Sequence, residues 1–114
     1  MNLKMYAIAN CDTVKKARKN LESRSVEYEF VDFKKNPPTE KLIKRWADFF
    51  GELPVNKKGI TYKKFKDDYE ALNTSEKIKF LCTNTSMIKR PILEKNEKTL
   101  FVGFDEENYN QLKL

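Results

Sequence analysis

The sequence predicts an α/β fold: a four-stranded mixed sheet in β-α-β then β-β-α order, with a helical insert between the two halves. Two observations carry this. Leu3–Ala9 is an apolar run that ends in Asn10-Cys11 and passes directly into a helical pattern. Asn36-Pro37-Pro38 then interrupts the chain, and strand-like periodicity returns only at Pro91. The 114 residues suit one domain, read as 1–114 with its insert at about 39–83.

Each element has its own signal. Leu3–Ala9 is apolar on both faces, as a central strand requires. In Thr13–Ser23, Val14, Ala17 and Leu21 share one helix face and Lys15, Lys16, Lys19 and Glu22 lie elsewhere. Val26–Phe33 alternates Val26, Tyr28 and Phe30 with Glu27 and Glu29, which predicts a second strand. The crossover between them implies a parallel, right-handed pair. Thr39 is a good N-cap for a helix that runs to Phe50 and stops at Gly51. Its Leu42, Ile43, Trp46, Phe49 and Phe50 follow an i, i+1, i+4, i+7, i+8 pattern, and Trp46 and Phe49 are read as core of the insert.

Leu53–Gly59 reads as a basic loop. Ile60, Tyr62 and Phe65 anchor a short helix or turn, and Asp67–Leu72 reads as another short helical piece. Thr74 or Ser75 can cap a helix to about Cys82. After a loop to Arg90, Pro91-Ile92-Leu93 begins a strand, Glu94–Lys98 is a polar turn and Leu100–Phe104 is the returning strand. Asp105 can cap a last helix bearing Tyr109 and Leu112.

Composition narrows the chemistry. The 23 basic and 17 acidic residues, net +6, are mixed along every segment, so the surface reads as solvated and lysine-rich. No arginine-rich run or zinc finger appears, and direct DNA binding is not expected. No stretch reads as a secretory or membrane-spanning segment, and two distant cysteines suit a reducing compartment, which predicts a cytoplasmic protein. The chain has no histidine. Cys-His and Ser-His nucleophile pairs and histidine metal sites are thereby excluded, and no metal or bound cofactor is expected.

What remains is Cys11 at a strand–helix junction. The thiolate is the reactive form of cysteine, and the dipole and free amides of a helix N-terminus favour it. Lys15 falls near that terminus, and Asn10 and Thr13 can cap the helix and support the thiolate by hydrogen bonding. Cys82 falls on the apolar side of its helix and reads as packing. A β-α-β unit followed by a hairpin and a closing helix is the thioredoxin-like, glutaredoxin-type arrangement. Cys11 and Pro91 occupy the places of its reactive cysteine and its facing, usually cis, proline.

Asn10–Arg18, Val26–Phe30, Asn56-Lys57-Lys58-Gly59, Ser86–Leu93 and Val102-Gly103-Phe104 together resemble the arsenate reductase (ArsC)/Spx family, in its YffB-like branch. The resemblance covers essentially the whole chain. It implies that Cys11 attacks an oxyanion or a disulfide, that glutathione is the co-substrate and that glutaredoxin resolves the mixed disulfide. It also implies that Arg90, just before Pro91, binds the oxyanion or glutathione through its planar fork. Lys58 stands where the family commonly has a further arginine, keeping the charge and losing the fork. Val102-Gly103-Phe104 offers no arginine where arsenate reductases carry one, which favours glutathione or a glutathionylated thiol over arsenate. Val14 stands where Spx regulators typically have a second cysteine, so a disulfide switch between positions 11 and 14 is impossible. The expected function is a glutathione-dependent thiol reductase with Cys11 as lone nucleophile. The alternative is an Spx-like transcription regulator that binds RNA polymerase.

Overall fold

The computed structural model describes residues 2–114 and divides into two compact units. The first comprises residues up to Asn36 and from Arg90 onward; the second is Pro37–Lys89.

The first unit holds the sheet: β1 (Leu3–Ala7), β2 (Glu29–Asp32), β3 (Ile92–Lys95) and β4 (Lys98–Val102), in the order β2-β1-β3-β4. β1 is parallel to β2, with Met5 opposite Phe30, and antiparallel to β3, with Tyr6 opposite Ile92. β1 lies inside the sheet, and so it is apolar on both faces. Helices α1 (Asp12–Ser23) and α5 (Glu106–Gln111) meet Leu3, Met5, Ala7 and Leu93 on one face. Val14, Ala17 and Leu21 of α1 and Tyr109 of α5 complete that core. Asn20, 8% exposed, donates to Asn110, and Arg24 donates to the carbonyls of Tyr109 and Leu112, which ties the end of α1 to α5.

The thioredoxin-like α/β order expected from the sequence is the order found, with shorter strands. β2 begins only at Glu29, because Val26 instead folds back onto the end of α1 with its N–H donating to Leu21 O at 2.9 Å. The hairpin turn is tighter than Glu94–Lys98. Asn96 and Glu97, at φ 51° and 64°, make the reversal alone. A register shift after Leu93 brings Glu94 opposite Thr99, whose hydroxyl donates to the buried carboxylate at 3.0 Å.

The second unit is helical: α2 (Glu40–Phe50), α3 (Ile60–Glu70), α4 (Thr74–Thr83) and a 3-10 turn over Thr85–Met87. Thr39 caps α2 by accepting from Leu42 N, and Gly51 closes it at φ 89°. Ile43 and Trp46 are fully buried, but Phe49 is 49% exposed. The core assignment of Phe49 is therefore corrected: it sits three residues past Trp46, on the flank of the buried stripe. The two short pieces expected around Ile60–Leu72 are one continuous α3. Asn73, not Thr74 or Ser75, caps α4, in a reciprocal capping box with Glu76. Phe65 and Tyr69 of α3 stack edge-on and tilted against Phe80 of α4.

Candidate active site

β1 delivers the chain to one end of the sheet, where Ala9 and Asn10 make an exposed turn. Cys11 follows as the N-cap residue of α1, in extended conformation (φ −148°, ψ 127°). Its carbonyl accepts from Lys15 N at 2.9 Å, the first bond of the helix. The N–H groups of Asp12, Thr13 and Val14 therefore precede any intrahelical acceptor and surround the cap position. Cys11 is a free, half-buried thiol that packs against the Ala7–Val14–Leu93 core with part of its surface left to solvent.

The same end of the sheet carries Arg90 and Pro91. The Arg90–Pro91 peptide is cis, as expected for that place in the fold. Continuing the β1–β3 register past Tyr6–Ile92 sets Pro91 opposite Ala7, the last residue of β1. Pro91 O accepts from Gly103 N at 2.8 Å, and Gly103 takes φ 89° as the chain leaves β4. Asp105 then caps α5, accepting from Asn108 N. Thus the strand ends gather Cys11, Arg90-Pro91 and Gly103-Phe104 at one edge. Pro91 and Gly103 are buried, Arg90 is half-buried, and Lys15 is exposed at the start of the second helical turn.

Two sequence expectations come out differently. Asn10 and Thr13 are exposed, and among the described residues their side chains make no hydrogen bond. Cys11 itself occupies the N-cap place and forms no side-chain cap bond, so neither residue caps α1. The helix starts directly after the cysteine, and a thiol is a weak acceptor in a position that oxygen side chains fill well. Lys58 lies in the second unit, exposed, in the turn that ends when Gly59 N donates to Asn56 O at 3.1 Å. A Cβ at Gly59 would stand 2.9 Å from Asn56 Nδ2, the movable end of a side chain, and 3.3 Å from Asn56 O, so the turn is close-packed there.

Arg18 is half-buried over an aromatic pair. Its guanidinium lies 4.1 Å over the Phe30 ring, and its Nε donates to Tyr28 Oη at 2.9 Å. Tyr28 in turn donates to Glu22 at 2.6 Å; burial first, then that carboxylate, pushes the phenol up. The sequence signal for this lies in the alternation of Tyr28 and Phe30 beside a basic helix. Asp12, in the first turn of α1, is a neighbour of the thiol that no sequence motif marks. Its carboxylate suits the helix N-terminus and opposes the lysines' effect on a neighbouring thiolate.

Cys82 lies on α4 in the second unit, half-buried. Burial, and then the charge of Glu40, push its thiol up, which disfavours the reactive thiolate. Among the described residues no group of three His, Cys, Asp or Glu side chains is placed to hold a metal ion.

A family model described as "ArsC family" matches residues 6–112, nearly the whole chain. The chain belongs to the ArsC family. This ArsC-family chain is 32% identical to an uncharacterized protein of Haemophilus influenzae, over 92% of its own length and 93% of the relative's. It is 26% identical to the global transcriptional regulator Spx 2 of Bacillus anthracis, covering 90% of this chain and 80% of that one. Among solved structures it resembles a protein named YFFB, at TM-score 0.83 and 34% identity over 96% of both chains. It also resembles an arsenate reductase (ArsC) related protein of Brucella melitensis, at TM-score 0.72 and 33% identity over 96% and 92%. The span matched to the family takes in Cys11, Arg90 and Pro91 alike.

Proposed function

We propose that this ArsC-family protein is a glutathione-dependent thiol reductase in which Cys11 is the lone nucleophile. One observation carries the reading: Cys11 is the N-cap residue of α1 at the same sheet end as Arg90-Pro91. The thiolate attacks one sulfur of a disulfide such as oxidised glutathione. A bond forms to Cys11 and the other sulfur leaves as a thiolate. A second thiol then attacks the mixed disulfide and releases Cys11 as a thiolate. That second thiol is external. Val14, three residues on, is buried and carries no sulfur, and Cys82 is held toward its unreactive form.

Arg90 anchors the anionic end of glutathione, since a guanidinium presents paired donors to a carboxylate. Lys15 adds positive potential at the mouth of the site. Glutaredoxin is the expected protein partner for turnover, and a small oxyanion is the alternative electrophile for the same thiolate. Lys58 is the second cation assigned to the bound anion, and a loss of anion protection in Lys58→Ala tests that assignment.

The decisive experiment is mass spectrometry after incubation with oxidised glutathione. The expected product is a single glutathionyl adduct on Cys11. An adduct on Cys82 alone, or on neither cysteine, would sink the reading. The similarity to Spx 2 supports a second reading, a regulator that binds RNA polymerase. A pull-down against polymerase subunits separates the two, and binding retained by a Cys11→Ser chain would favour the regulator.

A further inference from the structure

The outer face of α3 is unexplained by the thiol chemistry and by the stability of the helix itself. At 100° per residue, Ile60, Lys63, Lys64, Asp67 and Asp68 fall on one side of α3. Tyr62 and Tyr69, 7% and 3% exposed, turn the other way, and Phe65 stacks on Phe80. All five outer residues are exposed, and Ile60 at 86% is the most exposed large apolar side chain among the described residues.

The charges on this face run against the helix. Lysines sit toward its N-terminal end and aspartates toward its C-terminal end, with no acid in the first turn and no base in the last. That order opposes the macrodipole. Lys63–Asp67 and Lys64–Asp68 have the less favourable i,i+4 direction, and neither pair forms an ion pair. Among the described residues Lys63, Asp67 and Asp68 make no side-chain hydrogen bond either. Local energetics would have selected the reverse order, and a pattern that breaks local rules points to a role outside the helix.

The pattern is self-complementary. Laid antiparallel on a second copy, Lys63 meets Asp68 and Lys64 meets Asp67, each pair occurring twice across a two-fold axis. Ile60 meets Ala71, the exposed C-cap residue of α3. A two-fold interface requires this property of the same patch on both subunits. We propose that the outer face of α3 is a homodimer seam, α3 packed antiparallel on α3 of a second copy of this chain. Asp67 and Asp68 argue against a nucleic acid or anionic membrane on this face, because a uniform polyanion is repelled by its acidic half. A seam about 16 Å long, one helix wide, is small, and so the dimer belongs to the weak, reversible class.

The test is sedimentation equilibrium from about 10 µM to about 1 mM, a range that registers weak association. The full-length chain is compared with K63D/K64D, with D67K/D68K, and with an equimolar mixture of the two variants. The wild-type chain should self-associate, each variant should lose at least about tenfold in association constant, and the mixture should recover it. Circular dichroism checks that each variant is folded, and recovery on mixing cannot come from a folding defect. Wild-type chain that stays monomeric throughout overturns the proposal, and so does association that both reversals leave unchanged. If the wild-type monomer instead binds poly-uridine RNA or phosphatidylserine vesicles through Lys63 and Lys64, the face belongs to a polyanion and the proposal fails.

Discussion

Cys11 holds two roles that pull in different directions. As the N-cap residue of α1 it leaves the first helical amides without a side-chain acceptor. Serine is a better cap, because its oxygen accepts from the second or third helical N–H. Cys11→Ser should therefore abolish every glutathionyl adduct while leaving the protein as stable as before, or more stable by up to about 1 kcal/mol. Thermal melts and adduct mass spectra on the same sample check both halves. Arg90→Lys keeps the charge and removes the paired donors. It should weaken protection of Cys11 from iodoacetamide by glutathione about tenfold, the scale of one lost charged hydrogen bond. Unchanged protection would remove Arg90 from the anchor role.

At the scale of elements, the end signals of the helices are what can be weighed. Asn73 and Glu76 close α4 with reciprocal bonds of 2.8 and 3.0 Å. Asn73→Ala should cost about 1 kcal/mol in urea unfolding, and Asn73→Ser much less. Gly51 ends α2 at φ 89°, and a Cβ added there would meet no atom within 4 Å. Gly51→Ala therefore tests conformation alone and should cost about 1 kcal/mol. The sequence made some of this readable. The stripe Ile43–Trp46, the Thr39 cap and the Gly51 stop are all local, and the structure has them. Leu3–Ala9 read as a central strand because partners bury both faces of its Leu3–Ala7 part, and the strand ends at Ala7. The single length of α3 was not readable, because its outer face is charged, lysines first and aspartates after, and its apolar stripe is weak. The cap of α4 was ambiguous because Asn73, Thr74 and Ser75 are all good caps. The hairpin turn hid because Asn96-Glu97 lacks the glycine that marks such turns. At the site, Cys11 and Pro91 could be picked out from their neighbourhoods, and Arg90 only from the resemblance to the family. The cap assignment to Asn10 or Thr13 failed because one residue of phase decides which side chain meets the free amides.

At the scale of the whole molecule, both units bury phenols whose ionisation the fold resists. Burial, then Glu70, pushes Tyr69 up to about 12, and burial pushes Tyr109 up as well. The unfolded chain loses these protons near pH 10, the fold keeps them, and so stability is full below about pH 10 and falls as pH rises through the folded values. Each such tyrosine should add a slope of about 1.4 kcal/mol per pH unit above that point. The Tyr109 hydroxyl is buried without a hydrogen-bond partner. Tyr109→Phe should therefore raise stability at neutral pH by about 1 kcal/mol and flatten the alkaline limb, read from urea midpoints across the alkaline range. The two units also differ in how the chain supplies them. The helical unit is one unbroken segment, Pro37–Lys89, whereas the sheet unit is split around it. Strand β1 waits for β3, almost ninety residues later, before its second edge is paired. During synthesis the earliest strand is thus among the last to be completed, and the helical segment in the middle can settle while the N-terminal strand still has one open side.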